Sequence, residues 1–87
     1  MIYVDWLMNH GWKMHGKYIK SCHLFADTGE ELIEFSKKIG LKKNWLQKGS
    51  LLHFDLTESK RKLAVKNGAE ELTKDTFKKI YYKLKKT

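Results

Sequence analysis

Hydrophobic and polar positions alternate most cleanly from Leu51 to Leu56 (LLHFDL). Leu52, Phe54 and Leu56 fall on one face of a strand there, and Leu51, His53 and Asp55 on the other. Ile2 to Asp5 (IYVD) reads as a short first strand, and Lys17 to Ala26 (KYIKSCHLFA), β-branched and aromatic around Cys22, as a second. Between them Trp6 to Gly16 (WLMNHGWKMHG) shows no period, so a loop is expected, packed on the domain by Trp6 and Trp12 or covering a site.

Helical spacing takes over after residue 28. Thr28 and Glu31 fit a capping box, Leu32, Phe35 and Ile39 recur on one face, and Gly40 is a suitable stop. Thr57 is placed to cap a second helix that runs to Asn67 and ends at Gly68. Ala69 to Thr73 is a short strand or a connection. Thr73 then caps a last helix with Asp75 in its first turn. Phe77, Ile80, Tyr81 and Leu84 form its apolar stripe, and Lys78, Lys79, Lys83, Lys85 and Lys86 the remainder.

Strand and helix thus alternate after residue 17, which favours right-handed βαβ units. The expected fold is α/β: a small three- to four-stranded, mainly parallel sheet with about three helices. A compact α+β arrangement is the alternative, because strands this short also pair antiparallel. With no proline, no Gly/Ser linker and no repeat, residues 1–87 read as a single domain.

Composition narrows the setting. The chain is 41% hydrophobic and 32% charged, as in globular proteins. A lone cysteine cannot form an internal disulfide, and no apolar run approaches transmembrane length. The expectation is a cytoplasmic protein with no membrane partner and a buried, reduced Cys22. The net charge of +8, from seventeen lysines and one arginine, points to nucleic acid, nucleotide phosphates or an acidic partner. Near-absence of arginine argues against bidentate base reading.

Candidate chemistry gathers at strand ends. Asp5, Asp27 and Asp55 each close a strand candidate, with His23 and His53 just before the last two. In a parallel sheet these carboxylates would converge outside the strands' carboxyl ends. Asp5, Asp27 and Asp55 would then hold a hard divalent cation such as magnesium, and His23, Asp27, His53 and Asp55 would form a catalytic set for phosphate chemistry. Lys60 and Arg61, in the first turns of the second helix, and Lys42 and Lys43 would bind phosphate or nucleic acid. Each of these residues also has an ordinary structural role: strand-ending aspartates, a helix-dipole partner, solvated lysines. No CxxC, P-loop or GxGxxG is present, and His10 and His15, five apart, do not match a helical metal pair.

The blocks YVD, CHLFADTGEEL, IGL, WLQ, HFDLTESKR, LAV and NGAEELT, in this order, resemble the bacterial and phage family known as domain of unknown function 4031. Its members carry a similar CH-x-x-AD-x-x-x-EL block, an HYD block and a following KR and GA. The resemblance covers residues 2 to 73 and falls on Asp5, His23, Asp27, Glu31, Leu32, Gly40, Gln47, His53, Asp55, Lys60, Arg61, Gly68 and Ala69. It implies a small stand-alone domain from a bacterium or phage, in the latter case acting in the host cytoplasm, and no particular activity. Phe54 replaces the usual tyrosine, so a mechanism that needs a phenol there does not carry over.

These readings combine into one functional expectation. A small cytoplasmic domain would bind a phosphate-bearing ligand, nucleic acid or nucleotide, at a cleft of Asp5, His23, Asp27, His53 and Asp55. Trp12 and His15 would cover the cleft, and metal-assisted hydrolysis is the bolder form, favoured by a homodimer at this chain length. The rival is a non-enzymatic protein that modulates a host complex through Trp6, Trp12, Trp45 and its basic surface.

Overall fold

A computed structural model describes residues 1–49 and 51–85. Among them the elements are β1 (Ile2–Val4), β2 (Met8–Met14), β3 (Lys17–Ala26), α1 (Gly29–Lys38), β4 (Phe54–Thr57), α2 (Glu58–Lys66), β5 (Glu70–Glu71) and α3 (Lys74–Lys85), with a 3₁₀ turn at Lys43–Trp45. The α+β alternative holds. The sheet is mixed and mostly antiparallel, with only β1 and β5 running parallel.

β3 organises the sheet. Leu24 sits opposite both Val4 of β1 and Phe54 of β4, and Ser21 opposite both Met8 of β2 and Thr57 of β4. β1 and β2 therefore follow one another along one edge of β3, and β4 occupies the other edge.

The expectation of a mainly parallel sheet fails at two connections. The segment expected as a loop forms β2, which turns straight back into β3 at His15 and Gly16, both at positive φ (54° and 78°). Two such residues make the tight hairpin whose twist suits antiparallel strands. β2 hid its period because its register against β3 shifts between Asn9 and Lys13, around Gly11 at φ 80°, where Asn9 Oδ1 accepts the Gly11 N–H (2.9 Å). The second connection is β3 to β4. α1 carries the chain back along β3, and the connection from α1 to β4 returns to the start of α1, where Leu52 lies beside Gly29. That return makes β4 enter antiparallel.

Helix boundaries follow their signals. Thr28 Oγ1 accepts the Glu31 N–H (3.2 Å), Thr57 Oγ1 that of Lys60 (3.4 Å), and Thr73 Oγ1 that of Thr76 (3.3 Å). Leu32, Phe35 and Ile39 are buried, as their spacing requires. They pack with Val4, Cys22, Leu24, Phe54, Leu56 and Ala64 into the main core, between the sheet and α1 and α2. On the opposite face Tyr3, Phe25 and Leu72 form a smaller cluster, which Phe77, Ile80 and Leu84 of α3 cover together with Leu51. Lys78, Lys79, Lys83 and Lys85 are exposed, and Lys86 lies outside the described residues. No helix among the described residues is long and apolar enough to cross a membrane.

Arg61 ties these layers together. Its Nε donates to the Asp5 carbonyl (2.9 Å) and its Nη1 to Glu71 (2.9 Å), so α2 is pinned to the end of β1 and to β5. The pair with Glu71 is solvent-facing and worth little, whereas the bond to Asp5 satisfies a carbonyl in a buried residue. A lysine ammonium cannot reproduce the fork that reaches both acceptors. Arg61→Lys should therefore lower stability by about 1–2 kcal/mol in urea unfolding, with an unchanged m-value. An unchanged midpoint would remove Arg61 from this role.

Candidate functional site

On β3 the residues facing α3 read Phe25, His23, Ser21. Phe25 lies under the helix, and the two polar residues come next along the strand. Asp55 of β4 stands opposite His23. The main-chain groups of His23 face β1, since its carbonyl accepts the Asp5 N–H (3.2 Å). The His23–Asp55 pair is therefore in the non-hydrogen-bonded position of the β3–β4 ladder, where cross-strand side chains come closest. His53 follows the alternation and lies on the same face; its backbone pairs with Gln47 in both directions (2.8 and 3.1 Å).

Asp5 is the pivot. Its carboxylate replaces its own carbonyl in the ladder: Oδ1 accepts the His23 backbone N–H (2.6 Å) and Oδ2 accepts from His23 Nδ1 (2.7 Å). The displaced carbonyl is the one Arg61 binds. A carboxylate is acceptor-only, so the proton sits on Nδ1 of His23, and neutral His23 has its lone pair at Nε2. The same logic fixes His53, whose Nδ1 donates to the Leu51 carbonyl (2.9 Å). Gln47 Nε2 donates to Asp55 Oδ2 (2.7 Å), which leaves Oδ1 turned toward the imidazoles. Oδ1 stands 3.7 Å from His23 Nε2 and 3.9 Å from His53 Nε2.

A third imidazole borders the group. The His10 ring centroid is 5.1 Å from that of His23, and His10 Nδ1 is 2.7 Å from the Ser21 hydroxyl. His10 reaches the site only through the β2–β3 hairpin, whose one sequence signal is the His15–Gly16 turn; Ser21 follows His23 on the same face of β3.

Two cavities flank the cluster. One, of about 250 Å³, is lined by His23, Phe25, Leu51, His53, Phe77 and Tyr81. The other is a groove of about 780 Å³ lined by Trp12, Met14, Leu41, Asn44, Trp45, Leu46, Gln47, Asp55, Thr57 and Lys60. Asp55 is thus shared between groove and cluster.

The other expected residues go elsewhere. Because β1 and β3 are antiparallel, their carboxyl ends lie at opposite ends of the sheet, and Asp27 does not meet Asp5 and Asp55. It accepts from the Tyr3 hydroxyl (2.9 Å) and the Met1 amino group (3.2 Å) instead. The expected convergence of three carboxylates on a magnesium ion is therefore corrected: the donors brought together are His23, His53 and Asp55, within 4.8 Å of one another. Arg61 is committed to Asp5 and Glu71. Lys60 reaches the groove wall while its Nζ donates to the Ile39 carbonyl (2.9 Å) at the end of α1. Lys42 lies over the Trp45 ring (5.4 Å), and Lys43 begins the 3₁₀ turn. Trp12 lines the groove, but His15 occupies the hairpin turn, six residues from the β3 stretch that carries the site, or about 20 Å along a strand. Trp6 packs edge-on against Phe77 and belongs to the fold. Cys22 is fully buried, and desolvation, with the Asp5 charge, pushes its thiol up to about 12, which makes it an inert core residue.

The fold and site together define a small α+β domain built around an ordered histidine–aspartate cluster. The chain belongs to the family described as "Protein of unknown function (DUF4031)", which it matches over residues 2–84. No curated protein and no solved structure matches it.

The hydrogen bond to Asp5 raises the His23 pKa above its ordinary 6.5; burial opposes the rise, and the charges of Asp5 and Asp55 add to it. The folded value being higher than the unfolded one, the stabilisation is complete below about 6.5 and is lost as pH rises through the folded value. In chelator-treated protein, NMR titration should place the His23 midpoint above 6.5, and Asp5→Asn should bring it down. The stability gap between wild type and Asp5→Asn should narrow as pH rises through that midpoint. A His23 midpoint indifferent to Asp5→Asn would contradict this pairing.

Proposed function

We propose that the protein binds a phosphate-bearing ligand, a nucleotide or a short single-stranded stretch of nucleic acid, in the groove that ends at Asp55. One observation carries this reading: the groove combines two exposed indoles, Trp12 and Trp45, with the amide side chains of Asn44 and Gln47 and the ammonium of Lys60. Flat aromatic faces stack on bases regardless of sequence, amides bond base edges, and a basic wall suits the backbone. Lys42 beside Trp45 adds a cation at the mouth, and the chain's net charge of +8 favours a polyanion.

A ligand stacked there brings a phosphate toward Asp55 and the imidazoles of His23 and His53. Protonated His23, its proton affinity raised by Asp5, would hold a phosphate oxygen near neutral pH. In its stronger form this reading has the cluster hydrolyse a phosphate ester with the help of a metal ion.

A second reading, a non-enzymatic interaction protein, is favoured by β2. All seven of its residues are exposed, it lies at the sheet edge, and it presents Met8, Trp12 and Met14. Such an edge is suited to strand addition by a partner protein or by a second copy of the chain.

Titration with a short oligothymidylate should quench tryptophan fluorescence, and affinity should fall steeply from low to moderate salt. Trp45→Ala should weaken binding by about 5- to 150-fold, the loss of one base stacked at ~1–3 kcal/mol. A flat salt response with no quenching would rule out the groove as a nucleic-acid site. Slowed amide exchange across Met8–Met14 with rising protein concentration would favour the strand-addition reading.

A further inference from the structure

We infer that His23 Nε2, His53 Nε2 and Asp55 Oδ1 form a binding site for a first-row transition-metal ion of the zinc type. This is the ion that the metal-assisted form of the proposed function requires, but its binding needs no phosphate ligand. Both Nδ1 atoms are donors, to the Asp5 carboxylate and to the Leu51 carbonyl, so both neutral imidazoles direct lone pairs from Nε2. Asp55 adds an anionic oxygen 3.7 and 3.9 Å from those nitrogens. These separations are too long for hydrogen bonds, and three acceptors that face one another are stabilised by a positive centre between them. Two ligands on one zinc ion, each about 2.1 Å from it at a tetrahedral angle, stand about 3.4 Å apart. The two His–Asp spans exceed that by 0.3 and 0.5 Å, and all three ligand atoms lie within 4.8 Å of one another.

Each ligand is also oriented by a partner of its own. Asp5 holds His23, the Leu51 carbonyl holds His53, and Gln47 holds Asp55 through the oxygen that does not face the cluster. Carboxylate or carbonyl bonds to the far nitrogen of a ligating histidine fix its tautomer and raise its basicity, which is the usual support of a metal site. Asp5 is buried, so the His23 ring has little freedom to turn away.

The donor chemistry selects the ion. Two imidazoles and one carboxylate suit zinc and its first-row neighbours, whereas magnesium prefers oxygen ligands and retained water. Three protein ligands leave a fourth position for water or a ligand oxygen, and the 250 Å³ cavity that shares His23 and His53 gives it room. The rim of that cavity is apolar, with Phe25, Leu51 and Phe77.

The test is calorimetric titration of the full chain, stripped with chelator and free of phosphate compounds, with Zn²⁺ and separately with Mg²⁺. One Zn²⁺ should bind per chain, with no saturable Mg²⁺ uptake. Asp55→Asn and His53→Gln should weaken Zn²⁺ binding at least 100-fold, Asp5→Asn about 10- to 100-fold, and Asp27→Asn should leave it unchanged. If a cluster variant fails to fold, wild-type protein decides alone: Zn²⁺ should shift the Nε2 resonances of His23 and His53. Absence of saturable Zn²⁺ binding, unchanged binding in folded Asp55→Asn, or ligand shifts confined to His10 and His15 would each overturn the inference.

Discussion

The bond network of Asp5 is the constraint from which the site follows. A strand residue normally answers its neighbour with its own carbonyl. Here the carboxylate takes that place toward His23, and the freed carbonyl turns to Arg61. One residue therefore ends β1, fixes the tautomer of His23 through its second carboxylate oxygen and anchors α2. Asp5 is nearly fully buried, so each of its bonds is made where an unpaired partner would be costly. Beyond Asp5 the same edge of β3 is taken up by β2, which carries His10 and Trp12.

The two faces of β3 divide the labour. Cys22 and Leu24 pack under α1 and α2, while Phe25, His23 and Ser21 face the side that α3 covers only in part. His23, His53 and Asp55 remain half-buried, open enough for a ligand. Asp55 stands where the cluster meets the groove between Trp12 and Trp45; under the proposed function, a metal ion, a phosphate and a base would occupy adjoining positions.

Local signals in the chain were legible wherever a short segment decides its own structure. The Thr28, Thr57 and Thr73 caps, the Lys17–Ala26 strand and the alternation at Leu51–Leu56 all follow from rules that act within a few residues. Asp5, His23, His53 and Asp55 were identifiable by type and position for the same reason. Pairing direction was not, because it depends on how far the connection from α1 to β4 runs, which leaves no periodic trace. Because β1 and β3 pair antiparallel, Asp27 lies at the far end of the sheet from Asp5. Gln47, whose amide orients Asp55, carries no local mark of that role. β2 was hidden by its register shift around Gly11.

The protein holds two imidazoles with their Nε2 lone pairs directed at Asp55. Ring-nitrogen chemical shifts from long-range proton–nitrogen correlation spectra, recorded without metal well above the ordinary histidine pKa, report it most directly. Neutral His23 and His53 should both be protonated at Nδ1 and bare at Nε2. Protonation of either ring at Nε2 would contradict this arrangement.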